Sequence, residues 1–153
     1  MSPPTRVSKV IKARPAEVYE AFMNPAVLVE WLPPGNMTGT IHEFDAREGG
    51  GYGMSLFYPP TERGARGKTA DREDRVTVRF VELVPPRQIV EAVTFHTTDP
   101  SLMGEMMLTA TFEEVSGGTD VTLSFTNLPP GLRPEDNEAG TRESLEKLAR
   151  RFE

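Results

Sequence analysis

From Met37 to Asn127 apolar residues recur at every second position, while on both sides of that stretch they recur at helical spacing. No other feature constrains the fold as much, because successive strand side chains alternate between two faces whereas a helix repeats every 3.6 residues. The central stretch divides into strands at Met37–Asp45, Gly50–Tyr58, Glu73–Val84, Gln88–His96, Met103–Val115 and Asp120–Asn127. Val76, Val78 and Phe80 alternate in the third, and Val121, Leu123 and Phe125 oppose Thr122, Ser124 and Thr126 in the last. Glycines at 49 and 50 supply a turn, Pro85-Pro86 marks another, and Ser116-Gly117-Gly118-Thr119 a third. Pro59 to Asp71, polar and Gly-bearing, reads as a mobile hairpin loop.

Ahead of this region, Thr5 to Lys12 alternates as a first strand. Pro15–Met23 carries Val18, Tyr19 and Phe22 at helical spacing, with Pro15 suited to a first helical turn. Pro25–Trp31 gives a second short helix with Val27, Leu28 and Trp31. Beyond the strands, Pro134–Phe152 forms a final helix whose Leu145, Leu148, Ala149 and Phe152 make one narrow apolar stripe. Gly140 is expected to kink or delay it, and Lys147 is expected on a solvated face. The order is strand, two short helices, six antiparallel strands, long helix, which defines an α+β fold. The stripe is too narrow to close such a sheet alone, so a curved sheet gripping this helix should leave a cavity beneath it.

A length of 153 residues fits one domain, taken as residues 1-153. The formal charge of −6 argues against nucleic-acid binding, which needs a basic face. With no cysteine and only His42 and His96 as histidines, thiolate, iron–sulfur and multi-histidine metal sites are excluded, and no cofactor is expected. No apolar run reaches the roughly 20 residues of a membrane span. The first residues lack an apolar signal core, so the expected location is cytoplasmic.

Five motifs in order resemble a known family. They are Ile11-Lys12-Ala13-Arg14-Pro15-Ala16-Glu17-Val18-Tyr19-Glu20-Ala21-Phe22; Asn24-Pro25 with Leu28 and Trp31; Asp45-Ala46-Arg47-Glu48-Gly49-Gly50; Val81 to Val90 around Pro85-Pro86; and Gly118-Thr119-Asp120-Val121-Thr122-Leu123. Together they resemble the START-like, or SRPBCC, helix-grip superfamily, in its bacterial branch homologous to the activator of heat-shock protein 90 ATPase. The resemblance runs from Arg6 to Phe152. It implies a curved antiparallel sheet wrapped around the C-terminal helix. The superfamily includes hydrophobic-ligand binders, aromatase/cyclases, stress-response proteins and chaperone activators, so fold does not fix function. This chain departs from the family at Ala92-Val93, where Thr-Trp is common, at Phe125, where His is common, and at Gly140-Thr141, where Gly-Trp is common.

Catalytic motifs are absent: no H-E-x-x-H, no G-x-S-x-G and no paired aspartates. The Asp45/Arg47 pair reads as a brace for a glycine turn, and the glycines at 49–53 lack the following helix that a phosphate loop needs. Both histidines read as surface or strand-end residues. The apolar surplus is more telling. Tyr52, Met54 and Leu56 share one strand face, and Met106, Leu108 and Phe125 should join them on the concave side. Trp31, Val93, Phe95 and Leu145 complete the expected apolar wall. Thr141 and Glu138, four and seven residues before Leu145, extend the helix stripe toward the cavity mouth. Glu91 faces inward if Val93 and Phe95 do, although Val90 and Ala92 give the opposite face an equal claim. The function expected from these residues is binding of a small hydrophobic or amphipathic molecule, without catalysis. The alternatives are a cyclase-, dehydratase- or hydrolase-type enzyme using the same cavity, or a chaperone-activator-like protein-binding module. A homodimer and a chaperone partner are left open.

Overall fold

The computed structural model describes residues 4–58 and 73–153; the expected loop at Pro59–Asp71 lies outside the described residues. The strands are β1 Thr5–Ile11, β2 Thr38–Asp45, β3 Gly51–Phe57, β4 Glu73–Val84, β5 Gln88–Phe95, β6 Glu105–Val115 and β7 Gly118–Thr126. The helices are α1 Pro15–Met23, α2 Pro25–Trp31 and α3 Pro134–Arg151. All seven strands form one sheet in the order β1-β7-β6-β5-β4-β3-β2, each pair antiparallel. Consecutive strands are neighbours from β2 to β7, and β1 returns to the far edge beside β7.

Local chemistry sets the boundaries. The Glu17 carboxylate accepts from the Arg14 backbone N–H at 3.2 Å, tying down the start of α1 beside Pro15. Asn24 ends α1 and caps α2, its Oδ1 accepting from Ala26 N–H at 3.0 Å. Two hairpins bring backbone into contact that no side chain would allow. A Cβ on Gly51 would stand 1.9 Å from the Val78 carbonyl oxygen, and one on Gly118 would stand 2.0 Å from that of Ile11. Asp45 and Arg47 form an exposed ion pair at 2.7 Å, bracing the β2–β3 turn as expected.

Three details differ from the sequence expectation. The chain ahead of β6 forms a short 3-10 turn at Pro100–Leu102, with Asp99 Oδ1 accepting from Ser101 N–H, so β6 starts at Glu105. Helix α3 begins at Pro134 and runs through Gly140, which lies against Pro34 rather than delaying the helix. Lys147 is not on a free face: it is half-buried and its Nζ donates to the Pro33 carbonyl at 2.5 Å.

The core lies between the concave sheet face and the helices. Ile11, Val18, Val121, Leu145 and Leu148 are each fully buried in it. Helix α3 packs along β1 and against α2, while α1 covers β6 and β7. Phe22 is the wedge between these layers: its ring stands 4.6 Å from Trp31 and 5.0 Å from Phe112, both edge-on. Ser144 Oγ donates to the Leu32 carbonyl at 2.6 Å, fixing α3 to the end of α2.

These contacts rank three substitutions on α3. Leu148→Ala should cost about 2–5 kcal/mol, as truncations of buried leucine do. Lys147→Ala loses one hydrogen bond and should cost about 0.5–1.5 kcal/mol. Glu146→Ala, at an exposed position, should stay within about 0.5 kcal/mol. Urea midpoints at constant m-value check the order; equal midpoints for Leu148→Ala and Glu146→Ala would contradict it.

Candidate functional site

Because α3 sits over β1, it leaves the middle of the sheet uncovered by backbone. A cavity of about 260 Å³ fills that gap. Its floor is β3 to β7: Tyr52, Met54 and Leu56 from β3, Val76 and Val78 from β4, Glu91, Val93 and Phe95 from β5, Met106 and Leu108 from β6, and Leu123 and Phe125 from β7. Its roof is Phe22, Leu28 and Leu32 from the short helices, Leu132, and the α3 face bearing Asp136, Asn137, Gly140, Thr141 and Ser144.

The structure thus brings nine of the twelve expected residues to one wall: Tyr52, Met54, Leu56, Val93, Phe95, Met106, Leu108, Phe125 and Thr141. Three stand elsewhere. Trp31 lies behind Phe22, 1% exposed, with its indole N–H donating to the Ala21 carbonyl at 3.0 Å. Leu145 is fully buried in the core beneath the roof. Glu138 is half-exposed on α3 and turned away from the cavity. The pairing of β5 settles which face it presents. Phe80 opposite Glu91, and Val78 opposite Val93, put the odd-numbered residues of β5 on the concave side.

The cavity's polar groups fall into two sets. On the roof, hydroxyls are already satisfied: Thr141 Oγ1 donates to the Asn137 carbonyl at 2.7 Å, and Ser144 to Leu32. On the floor they are not. Glu91 is 6% exposed, and its carboxyl makes no hydrogen bond or ion pair among the described residues. Its strand neighbours, Phe80 and Leu108, are apolar. Burial away from water raises its pKa to about 7. Tyr52, 5% exposed, packs its ring on Phe44 at 5.2 Å and near Phe80. Burial, and after it the nearby Glu91 carboxylate, hold the Tyr52 hydroxyl well above its usual range. His42 and His96 are both exposed, away from the cavity, hydrogen-bonded to Ser55 and Thr77 respectively. Among the described residues, no group of three or more His, Asp or Glu side chains could hold a metal. No described helix is long and apolar enough to cross a membrane.

A seven-strand antiparallel sheet gripping a C-terminal helix, with two short helices after the first strand, defines the helix-grip, or SRPBCC, class of α+β proteins. The chain belongs to the family of Activator of Hsp90 ATPase homolog 1-like proteins, whose model matches residues 12–153. It is similar to a solved protein from Chromobacterium violaceum, at 31% identity and TM-score 0.85 over 97% of this chain and 96% of that one. A solution structure from Staphylococcus epidermidis shares the fold at 20% identity and TM-score 0.76, covering 99% and 90% of the two chains. So does an AHSA1-like protein from Aeromonas hydrophila, at 17% identity and TM-score 0.71 over 97% and 90%. No curated protein matches the chain.

Glu91 makes stability depend on pH. Its folded-state pKa, about 7, lies above its ordinary 4.5. Between these values the folded chain holds a proton that the unfolded chain has released. The pH-dependent cost of Glu91 is therefore absent below about pH 4.5, and the folded state loses stability as pH rises toward 7, by about 3 kcal/mol when the shift is complete. Glu91→Gln should flatten this part of the profile and make the variant more stable than the parent at pH 8. Denaturant titrations from pH 4.5 to 8 test this; parallel profiles for the two proteins would refute it.

Proposed function

We propose that the protein, as one helix-grip domain spanning residues 1–153, binds a small hydrophobic or amphipathic molecule between its sheet and its C-terminal helix. The supporting observation is the cavity itself. Close packing normally leaves few voids larger than a water molecule, yet here about 260 Å³ stands open beneath α3. An apolar cavity of roughly 150 Å³ accommodates benzene; by proportion this one suits a ligand of about ten non-hydrogen atoms. The wall offers methionines at 54 and 106, whose unbranched side chains adapt to irregular shapes.

One observation favours the enzymatic alternative: a carboxyl group that titrates near neutrality, such as Glu91, can give or take a proton. Among the described residues it has no partner in hydrogen-bond contact to complete an acid–base pair, so binding stands first. For the protein-binding alternative, the exposed large apolar residues are Val10, Phe57, Val81, Val84 and Met103, spread over four parts of the described chain. Apolar side chains scattered in this way are ordinary surface.

The test is calorimetric titration with 1-octanol, an apolar chain with one hydroxyl. The parent protein should bind it with a stoichiometry near one. Thr141→Trp places an indole in the roof of the cavity and should abolish binding while leaving the circular dichroism spectrum unchanged. Equal binding by parent and folded variant, or none by the parent, would reject the proposal.

A further inference from the structure

The deepest polar group of the cavity says which ligands it favours. Glu91 sits on the floor between apolar strand neighbours, nine-tenths buried, with its carboxyl turned into the open space and hydrogen-bonded to nothing among the described residues. The Tyr52 hydroxyl, reaching toward it from two strands away, is likewise without a hydrogen-bond partner. Every fully occluded side-chain polar atom among the described residues does have a partner. The polar atoms of Glu91 and Tyr52 are therefore not fully occluded, and both residues line the cavity. A buried polar group without a partner is costly, and a buried carboxylate most of all.

Among the described lining residues, the charge of the cavity has one sign. Its described wall contains two carboxyls, Glu91 on the floor and Asp136 at the roof's outer end, and no Lys, Arg or His. Among the described residues of the wall, an anionic head would meet two acids and no base. A cationic head that donates hydrogen bonds would find at Glu91 an acceptor not already engaged. Charge-assisted hydrogen bonds of this kind are the strong ones, and more so in a low-dielectric interior.

We propose that this cavity selects amphipathic amines: ligands with an apolar body against Met54, Met106 and Phe125 and an ammonium head at the Glu91 carboxyl and the Tyr52 hydroxyl. The assignment rests on the reading of the cavity as a small-molecule site and goes further by naming the head group. It also sets this cavity apart from a fatty-acid site, which would place a basic residue where Glu91 stands. Without ligand, Glu91 holds its proton up to about pH 7; an ammonium beside it stabilises the ionised form, so binding should release a proton below that pH. Among the described residues, the ionisable groups facing Glu91 across the cavity are Tyr52 from β3 and Asp136 from α3. The facing residues of β4, β6, β7 and α2 are apolar.

The experiment titrates n-octylamine, 1-octanol and sodium octanoate, equal in chain length, into the protein at pH 8.5. Octylamine should bind at least about tenfold more tightly than octanoate, with octanol between them. Glu91→Gln should weaken octylamine about tenfold and leave octanol within about threefold. A variant that does not fold is replaced by the parent at two pH values, where the preference for octylamine over octanol should shrink between pH 8.5 and 5.5. Octanoate equal to or tighter than octylamine, or a preference that neither Glu91→Gln nor pH changes, overturns the assignment while octanol binding keeps the binder reading intact. If none of the three binds, both readings fall.

Discussion

The fold is governed by a mismatch of areas. Seven strands at about 4.8 Å spacing make a sheet about 30 Å across. An 18-residue helix is about 27 Å long but only about 10 Å wide with its side chains. One helix therefore covers about a third of the face that must be hidden from water. The chain meets the deficit by curving the sheet, by laying α1 and α2 over part of it, and by leaving the remainder as a cavity. Where α3 sits decides where that cavity falls. Ser144 and Lys147 hold α3 to the Leu32–Pro33 carbonyls, which keeps it over β1 and α2 and away from β4 and β5.

The position of α3 explains how a glutamate can stand in the middle of an apolar sheet face. In a packed core Glu91 would be pressed between Phe80 and Leu108 under a helix, with no water and no partner. Beneath the gap it has room, and its oxygens keep contact with an open volume. The cost of burial shows as the upward pKa shift to about 7. The same gap leaves Tyr52 stacked on Phe44 and lining the cavity. The polar floor and the cavity thus arise from one cause, the offset of α3.

Much of this was legible in the sequence, and what was not has physical reasons. The switch of apolar period marks β2 to β7, and proline, asparagine and glycine mark most boundaries. The facing of β5 could not be read, because Val90 and Ala92 on one side are as apolar as Val93 and Phe95 on the other; the cross-strand partners at Val78 and Phe80 decide it. Trp31 has the chemistry of a cavity residue, but a carbonyl at Ala21 holds its indole behind Phe22. Phe22, Leu28, Leu32, Val76, Val78, Leu123 and Leu132 line the cavity unannounced, since an apolar residue facing a void carries the same sequence signal as one facing a neighbour. Lys147 sits among charged residues at helical spacing, and its bond to Pro33 spans 114 positions of chain. Contacts so distant in sequence leave no periodic trace.

The offset of α3 separates two sets of residues. Those that hold the layers together, Ile11 on β1, Val18 on α1, Val121 on β7 and Leu145 and Leu148 on α3, are fully buried in the core. The strand residues that face the void belong mainly to β3 through β6. A substitution on a void-facing side chain alters the shape and polarity of an empty volume without prying apart packed layers. Such an arrangement is modular: selection can redesign what enters the molecule while the scaffold that encloses it is inherited unchanged. Descendants of one ancestral chain could thus come to hold chemically unrelated guests within the same backbone.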